Sequence, residues 1–159
     1  PTGLFRTEAL GVKRYSKQPR GCSSAYMIYY MSHFAPEHAA QQWEKFKRDM
    51  LTSAFGMTGF REYLPDFAGK WTPDSGPIIA GIGVAASALA IKTAGAMGDT
   101  EVQNGLIASA GRAHRVLHTI GHIPGADRFT RLATDLLASS IYLSGRTTRT
   151  RINQTALAA

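Results

Sequence analysis

The run from Trp71 to Asp99, WTPDSGPIIAGIGVAASALAIKTAGAMGD, constrains the fold more than any other part of the chain. From Pro77 to Gly98 it is almost purely small and apolar, interrupted by a single cation, Lys92. A helix with no polar face must be covered by protein on nearly all sides. The run predicts a helix that opens at Asp74, takes Ser75 and Pro77 into its first turn, and closes near Gly98. Gly81-Ile-Gly83 then lies inside the helix and cradles nothing. A carboxylate at the opening is favoured by the helix dipole, and an N-cap role accounts for Asp74 as well as a cavity role does. Gly76 to Ile91 gives 16 uncharged residues, whereas a membrane span needs about 20. The spacings Gly81–Ala85 and Gly83–Ser87 therefore read as tight helix packing inside a protein.

The rest of the chain reads as helix too, so the expected class is all-α, built from antiparallel hairpins. Cys22 to Phe34 is a first helix rich in Tyr and Met. Pro36 and Glu37 open a second, running to about Ala54, because proline is tolerated in a first turn and an acid is favoured there. Trp43, Phe46, Met50 and Ala54 share one face of it, and Glu44–Arg48 and Lys45–Asp49 are spaced as i,i+4 pairs. A loop from Phe55 to Pro73 is marked by Gly56, Gly59, Pro65 and Gly69. Thr100 and Gln103 have capping-box spacing for a fourth helix to about Gly121, with Val102, Leu106, Ala110, Ala113 and Leu117 inward. A fifth is expected over about Arg128 to Leu143. No segment alternates well enough to predict a strand.

A chain of 159 residues that is 44% hydrophobic suffices for one core. The charge divides it into three. Residues 1–20 carry Arg6, Lys13, Arg14, Lys17 and Arg20 against Glu8, a net of +4. Residues 146–159 carry Arg146, Arg149 and Arg151 and no acid, a net of +3. The whole net charge of +7 thus sits in the termini. The expected organisation is a basic N-terminal arm (1–20), a helical domain (21–145) and a basic C-terminal tail (146–159). The arms suit an anionic surface, phosphate or lipid. Solvated tails are the more ordinary reading, since neither interleaves aromatics as single-strand binders do. One cysteine, Cys22, excludes an internal disulfide.

Four elements together carry a resemblance: PTGLF (1–5), PRGCS (19–23), GFREY (59–63) and DSGPIIAGIGVAASALAI (74–91). In order and spacing they resemble the C-terminal half of a bacterial family similar to the linalool dehydratase/isomerase catalytic domain. The resemblance implies part of an (α/α)6 toroid whose inner helices line a cavity. It also implies a partner chain, or a longer chain, that completes the ring. Cofactor-free chemistry on an isoprenoid alcohol is what it suggests, and the toroid equally suits a glycan.

Under that reading Asp74 and Glu62 are the candidate acid and base, since two carboxyls at one cavity suit protonation and removal of a hydroxyl or glycosidic cleavage. Arg61 would position Glu62; the bland alternative is an ion pair in a loop. Cys22, near a helix N-terminus, is expected to have a lowered thiol pKa and to act as nucleophile or proton carrier, or else to be a small buried apolar residue. Tyr26 and Tyr30 share a helix face, as do Tyr29 and His33, and would line a cavity or pack a core. Trp71 and Ser75 complete the substrate-binding candidates.

No metal or cofactor is expected. His114, His118 and His122 recur every four residues, but no acid or cysteine co-ligand accompanies them. There is no P-loop, dinucleotide fingerprint or nucleophile elbow. A non-catalytic reading stands beside the enzyme: a helical subunit that docks into a larger assembly through its body and its basic arms.

Overall fold

The computed structural model describes residues 3–5, 9–11, 14–15, 18–66 and 76–120. The expected fifth helix, His122 and the C-terminal tail lie outside the described residues, as do Trp71, Asp74 and Ser75. Element order is β1 (Ala9–Gly11), β2 (Arg14–Tyr15), α1 (Gly21–Met31), α2 (Pro36–Met50), β3 (Leu51–Ala54), β4 (Met57–Phe60), β5 (Ile78–Ile79), β6 (Ile82–Gly83), α3 (Val84–Ala96) and α4 (Thr100–Ile120). The six strands pair in sequence as three two-stranded antiparallel sheets. The chain is therefore mixed α and β, and the all-α expectation is corrected.

At two places a hairpin stands where the sequence predicts helix. The second helix stops at Met50, and the chain turns into the hairpin β3–β4, with Leu51 opposite Phe60 and Ala54 opposite Met57. Its two turn residues, Phe55 and Gly56, both have positive φ, 52° and 71°. The third helix does not open at Asp74: the hairpin β5–β6 precedes it, turning on Ala80 and Gly81 at φ 50° and 81°. Two positive φ values in a two-residue loop match the twist of a hairpin. Gly81 therefore sits in a tight turn and Gly83 at the N-cap of α3, neither of them inside the helix.

α3 is covered as its composition requires: none of its residues is exposed. Its small side chains Ala86, Ala90 and Ala94 are buried against the rest of the core, which includes Ala25 and Ile28 of α1. The Thr93 hydroxyl donates to the Ala25 carbonyl at 2.9 Å, a cross-link between the two helices. The large core residues come from α2 and β4. Phe46 and Phe60 stack at 4.4 Å, with Trp43 tilted against both.

α4 begins on a cap other than the expected Thr100–Gln103 box. Asp99 accepts from the Val102 amide at 3.1 Å through Oδ1. Its Oδ2 accepts from Trp43 Nε1 at 3.0 Å and Lys47 Nζ at 2.8 Å. Gln103 turns inward instead and donates to the Ile91 carbonyl. In α2, Lys47 also pairs with Glu44, and Arg48 with Asp49. Among the described residues no helix is long and apolar enough to cross a membrane.

Candidate functional site

Three of the sequence elements singled out above meet at the N-terminus of α1. The Gly21 amide donates to the Glu62 carbonyl at 2.9 Å. A Cβ on Gly21 would stand 2.0 Å from the Arg61 carbonyl oxygen and 2.8 Å from Ala86 Cβ, so only glycine lets these backbones approach. One on Gly83 would meet Glu62 Cβ at 3.0 Å. PRGCS, GFREY and the small-residue run are thus pressed together around one side chain, Glu62.

Glu62 is 1% exposed, and its carboxylate is engaged at both oxygens. Oε1 accepts from Arg20 Nε at 2.9 Å and from the Cys22 thiol at 3.0 Å. Oε2 accepts from the Cys22 amide at 3.1 Å. A buried carboxylate needs such partners, because an uncompensated charge in the interior is costly. α1 has no cap from the residue before it: Arg20 occupies the N-cap, and its side chain makes no capping bond to the helix. Glu62 does that work from far along the sequence, as a carboxylate near the positive end of the dipole.

The expected lowering of the Cys22 thiol pKa is reversed. Burial pushes it up, the bond and negative charge of Glu62 push it further, and Arg20 pulls only partly back, leaving it at about 11. The helix N-terminus does not win because its field is already answered by Glu62. At neutral pH Cys22 is a protonated donor. Burial works against the charge of Arg20, but the negative charges of Cys22, once ionised, and of Glu62 more than offset it and hold its guanidinium above the ordinary range. Its cation also lies 5.8 Å from the Tyr63 ring centre.

Glu62 and Cys22 are therefore together, but the expected helper of Glu62 is not Arg61. That guanidinium lies beside Gly81 of the β5–β6 turn, and Arg20, counted above with the basic arm, takes the role. The signal for it was its place two residues before Cys22 in PRGCS. Tyr26 and Tyr30 are exposed, with Tyr26 donating to the Tyr30 hydroxyl at 3.2 Å. Cys22, Tyr26 and Tyr30 fall at i, i+4 and i+8 on one face of α1. Tyr29 flanks them, with Lys92 Nζ 4.3 Å from its ring centre. Among the described residues no group of three His, Cys, Asp or Glu stands ready for a metal ion.

No family model, no curated protein and no solved structure matches the chain. The likeness to the linalool dehydratase/isomerase domain rests on the motif residues alone.

Proposed function

We propose that the chain is an enzyme, or a part of one, doing cofactor-free acid–base chemistry on a neutral hydroxylated substrate, with Glu62 and Cys22 as its proton-sharing pair. The observation that carries the reading is the thiol of Cys22 donating to a carboxylate whose side chain is fully buried. Such a pair holds one proton and one negative charge. Transfer from sulfur to Glu62 Oε1 leaves a thiolate beside a neutral carboxyl, and the total charge is unchanged. Arg20 balances that charge in either state, so the site has no spare charge for an ionic substrate. A thiol held as far above its ordinary range as that of Cys22 is the kind of group that concentrates at functional sites.

In this reading the thiolate form removes a proton or attacks carbon, while a second carboxyl, Asp74, protonates the departing oxygen. Tyr26 and Tyr30 continue the same helix face and offer hydroxyls to the substrate. Arg61, Trp71 and Ser75 remain the other binding candidates. The test is turnover of a tertiary allylic alcohol of the linalool type and of an aryl glycoside by the full chain. One of the two should be converted. Glu62→Gln and Cys22→Ser should each lower that rate by about a hundredfold or more without loss of the native circular dichroism. No conversion of either, or a Glu62→Gln variant as active as the parent, would overturn the reading.

A second reading is favoured by a different observation. Tyr26, Tyr30 and Phe34 are large residues left exposed on α1 and the turn after it. A non-catalytic subunit that buries them against a partner chain would leave them so. Native mass spectrometry of the purified protein separates the two: a fixed place among unrelated subunits supports the second reading.

A further inference from the structure

Phe55 combines a left-handed backbone with an exposed aromatic ring. It occupies the first turn position of hairpin β3–β4 at φ 52°, a left-handed backbone that asparagine, aspartate or glycine adopts with far less strain. It gains no packing in return, being 86% exposed. A strained and solvent-facing aromatic is not explained by the fold, and such outliers point to function.

Its surroundings say what it meets. Arg112 of α4 donates from Nη2 to the Gly56 carbonyl at 2.9 Å, which fixes that face of α4 beside the turn. Arg115 and Val116 follow at i+3 and i+4 on the same face. Both are exposed, Val116 by 56%. Neither 51–60 nor 105–120 contains an aspartate or glutamate. The two acids flanking 51–60, Asp49 and Glu62, are each engaged by an arginine, Arg48 at 2.7 Å and Arg20 at 2.9 Å. This end of hairpin β3–β4 and the neighbouring face of α4 thus present a phenyl ring, an isopropyl group and two guanidinium groups, with no carboxylate in either segment.

We propose that this end docks on an anionic lipid surface, with Phe55 entering the boundary between headgroups and acyl chains and Arg112 and Arg115 on lipid phosphates. Apolar insertion combined with attraction to anionic headgroups is how proteins lie on a bilayer. Val116 decides against nucleic acid as occupant, since an aliphatic side chain stacks poorly on a base whereas it partitions well into lipid. The inference is independent of the Glu62–Cys22 pair.

The test is co-sedimentation of the full chain with phosphatidylcholine vesicles, with and without phosphatidylglycerol. Binding should require the anionic lipid and weaken with salt. Phe55→Gly should lower partitioning about tenfold by removing the inserted ring, while melting at the parent's temperature or above because the turn is relieved. Phe55→Asn should behave alike. Arg115→Gln should lower partitioning about fivefold. Equal binding to neutral vesicles would overturn the proposal. So would Phe55→Gly binding as the parent does, which would assign the attraction to the basic termini. A Phe55→Gly variant that melts well below the parent would make Phe55 a packing residue and overturn it too. Tighter binding to a single-stranded oligonucleotide than to anionic vesicles, lost in Phe55→Gly, would overturn it in favour of nucleic acid.

Discussion

At the scale of single residues, Glu62 ties chemistry and stability together. It caps a helix, neutralises Arg20 and sets the proton affinity of Cys22, all through two oxygens. Glu62→Gln keeps the shape but removes the charge, leaving Arg20 without its anion. The expected loss is about 3 kcal/mol, the scale of breaking a buried pair from one side, read from urea unfolding at pH 7. The same substitution removes the carboxylate that raises the thiol. Alkylation of Cys22 by iodoacetamide in the parent should follow a thiolate of pKa about 11. In Glu62→Gln the rate at pH 8 should rise, with the midpoint of its pH profile moved down. An unchanged midpoint would mean that burial alone holds the proton. Glu62 and Cys22 were both legible as candidates in the sequence. Their contact was not, because nothing in local spacing places residue 62 over the first turn of a helix that starts at 21.

At the scale of elements, the helices were legible and the hairpins were not. α2 announces itself by Pro36, Glu37 and the stripe Trp43, Phe46, Met50, and α4 by its inward Val102 and Leu106. β3–β4 lacks both usual signals: its turn is Phe-Gly where Asn-Gly or Asp-Gly is expected, and its strands barely alternate. In β5–β6 the apolar run of Ile78, Ile79 and Ile82 is indistinguishable by periodicity from the helix it precedes. Hairpin β3–β4 is held from outside. The Phe60 amide donates to Ser87 Oγ at 2.9 Å, and the Thr58 amide to Ser109 Oγ at 2.8 Å. Its far end closes on α1, where Gly21 leaves no room for a methyl group. Gly21→Ala should therefore separate α1 from the hairpin, costing about 3 kcal/mol or more as overpacking against backbone. Thermal unfolding would show this as a lower midpoint. A variant as stable as the parent would mean that the two elements slide apart without penalty.

At the scale of the whole molecule, two seams among the described residues hold the helices together. One is the small-residue contact of α1 with α3, sealed by Thr93. The other is the Asp99 junction, which ties the middle of α2 to the turn between α3 and α4. Burial alone would raise the Asp99 carboxyl. The bonds from Lys47, Trp43 and the Val102 amide outweigh it and hold the group below its ordinary 3.8. Lys47 is opposed by burial in the same way, yet its bonds to Asp99 and Glu44 hold it above 10.5. The signs agree on a window. Asp99 contributes fully above pH 3.8 and loses its contribution as pH falls through its lowered folded value. Lys47 contributes fully below 10.5 and loses it as pH rises through its raised one. Asp99→Asn should cost about 2 kcal/mol at pH 7, the scale of a charge-assisted bond, and little in strong acid. Chemical denaturation at the two pH values measures the difference. Asp99 is too far in sequence from Trp43 and Lys47 for this junction to be read there.

The remote cap on α1 also sets an order of events in time. α1 cannot satisfy the amides of Gly21 and Cys22 within the protein until Glu62 has been delivered by hairpin β3–β4. During synthesis α1 therefore leaves the ribosome with its first turn open, and it stays open until a segment made much later folds back over it. Disturbances of that hairpin should appear as slower completion of α1, so a helix made before the hairpin is finished only after it.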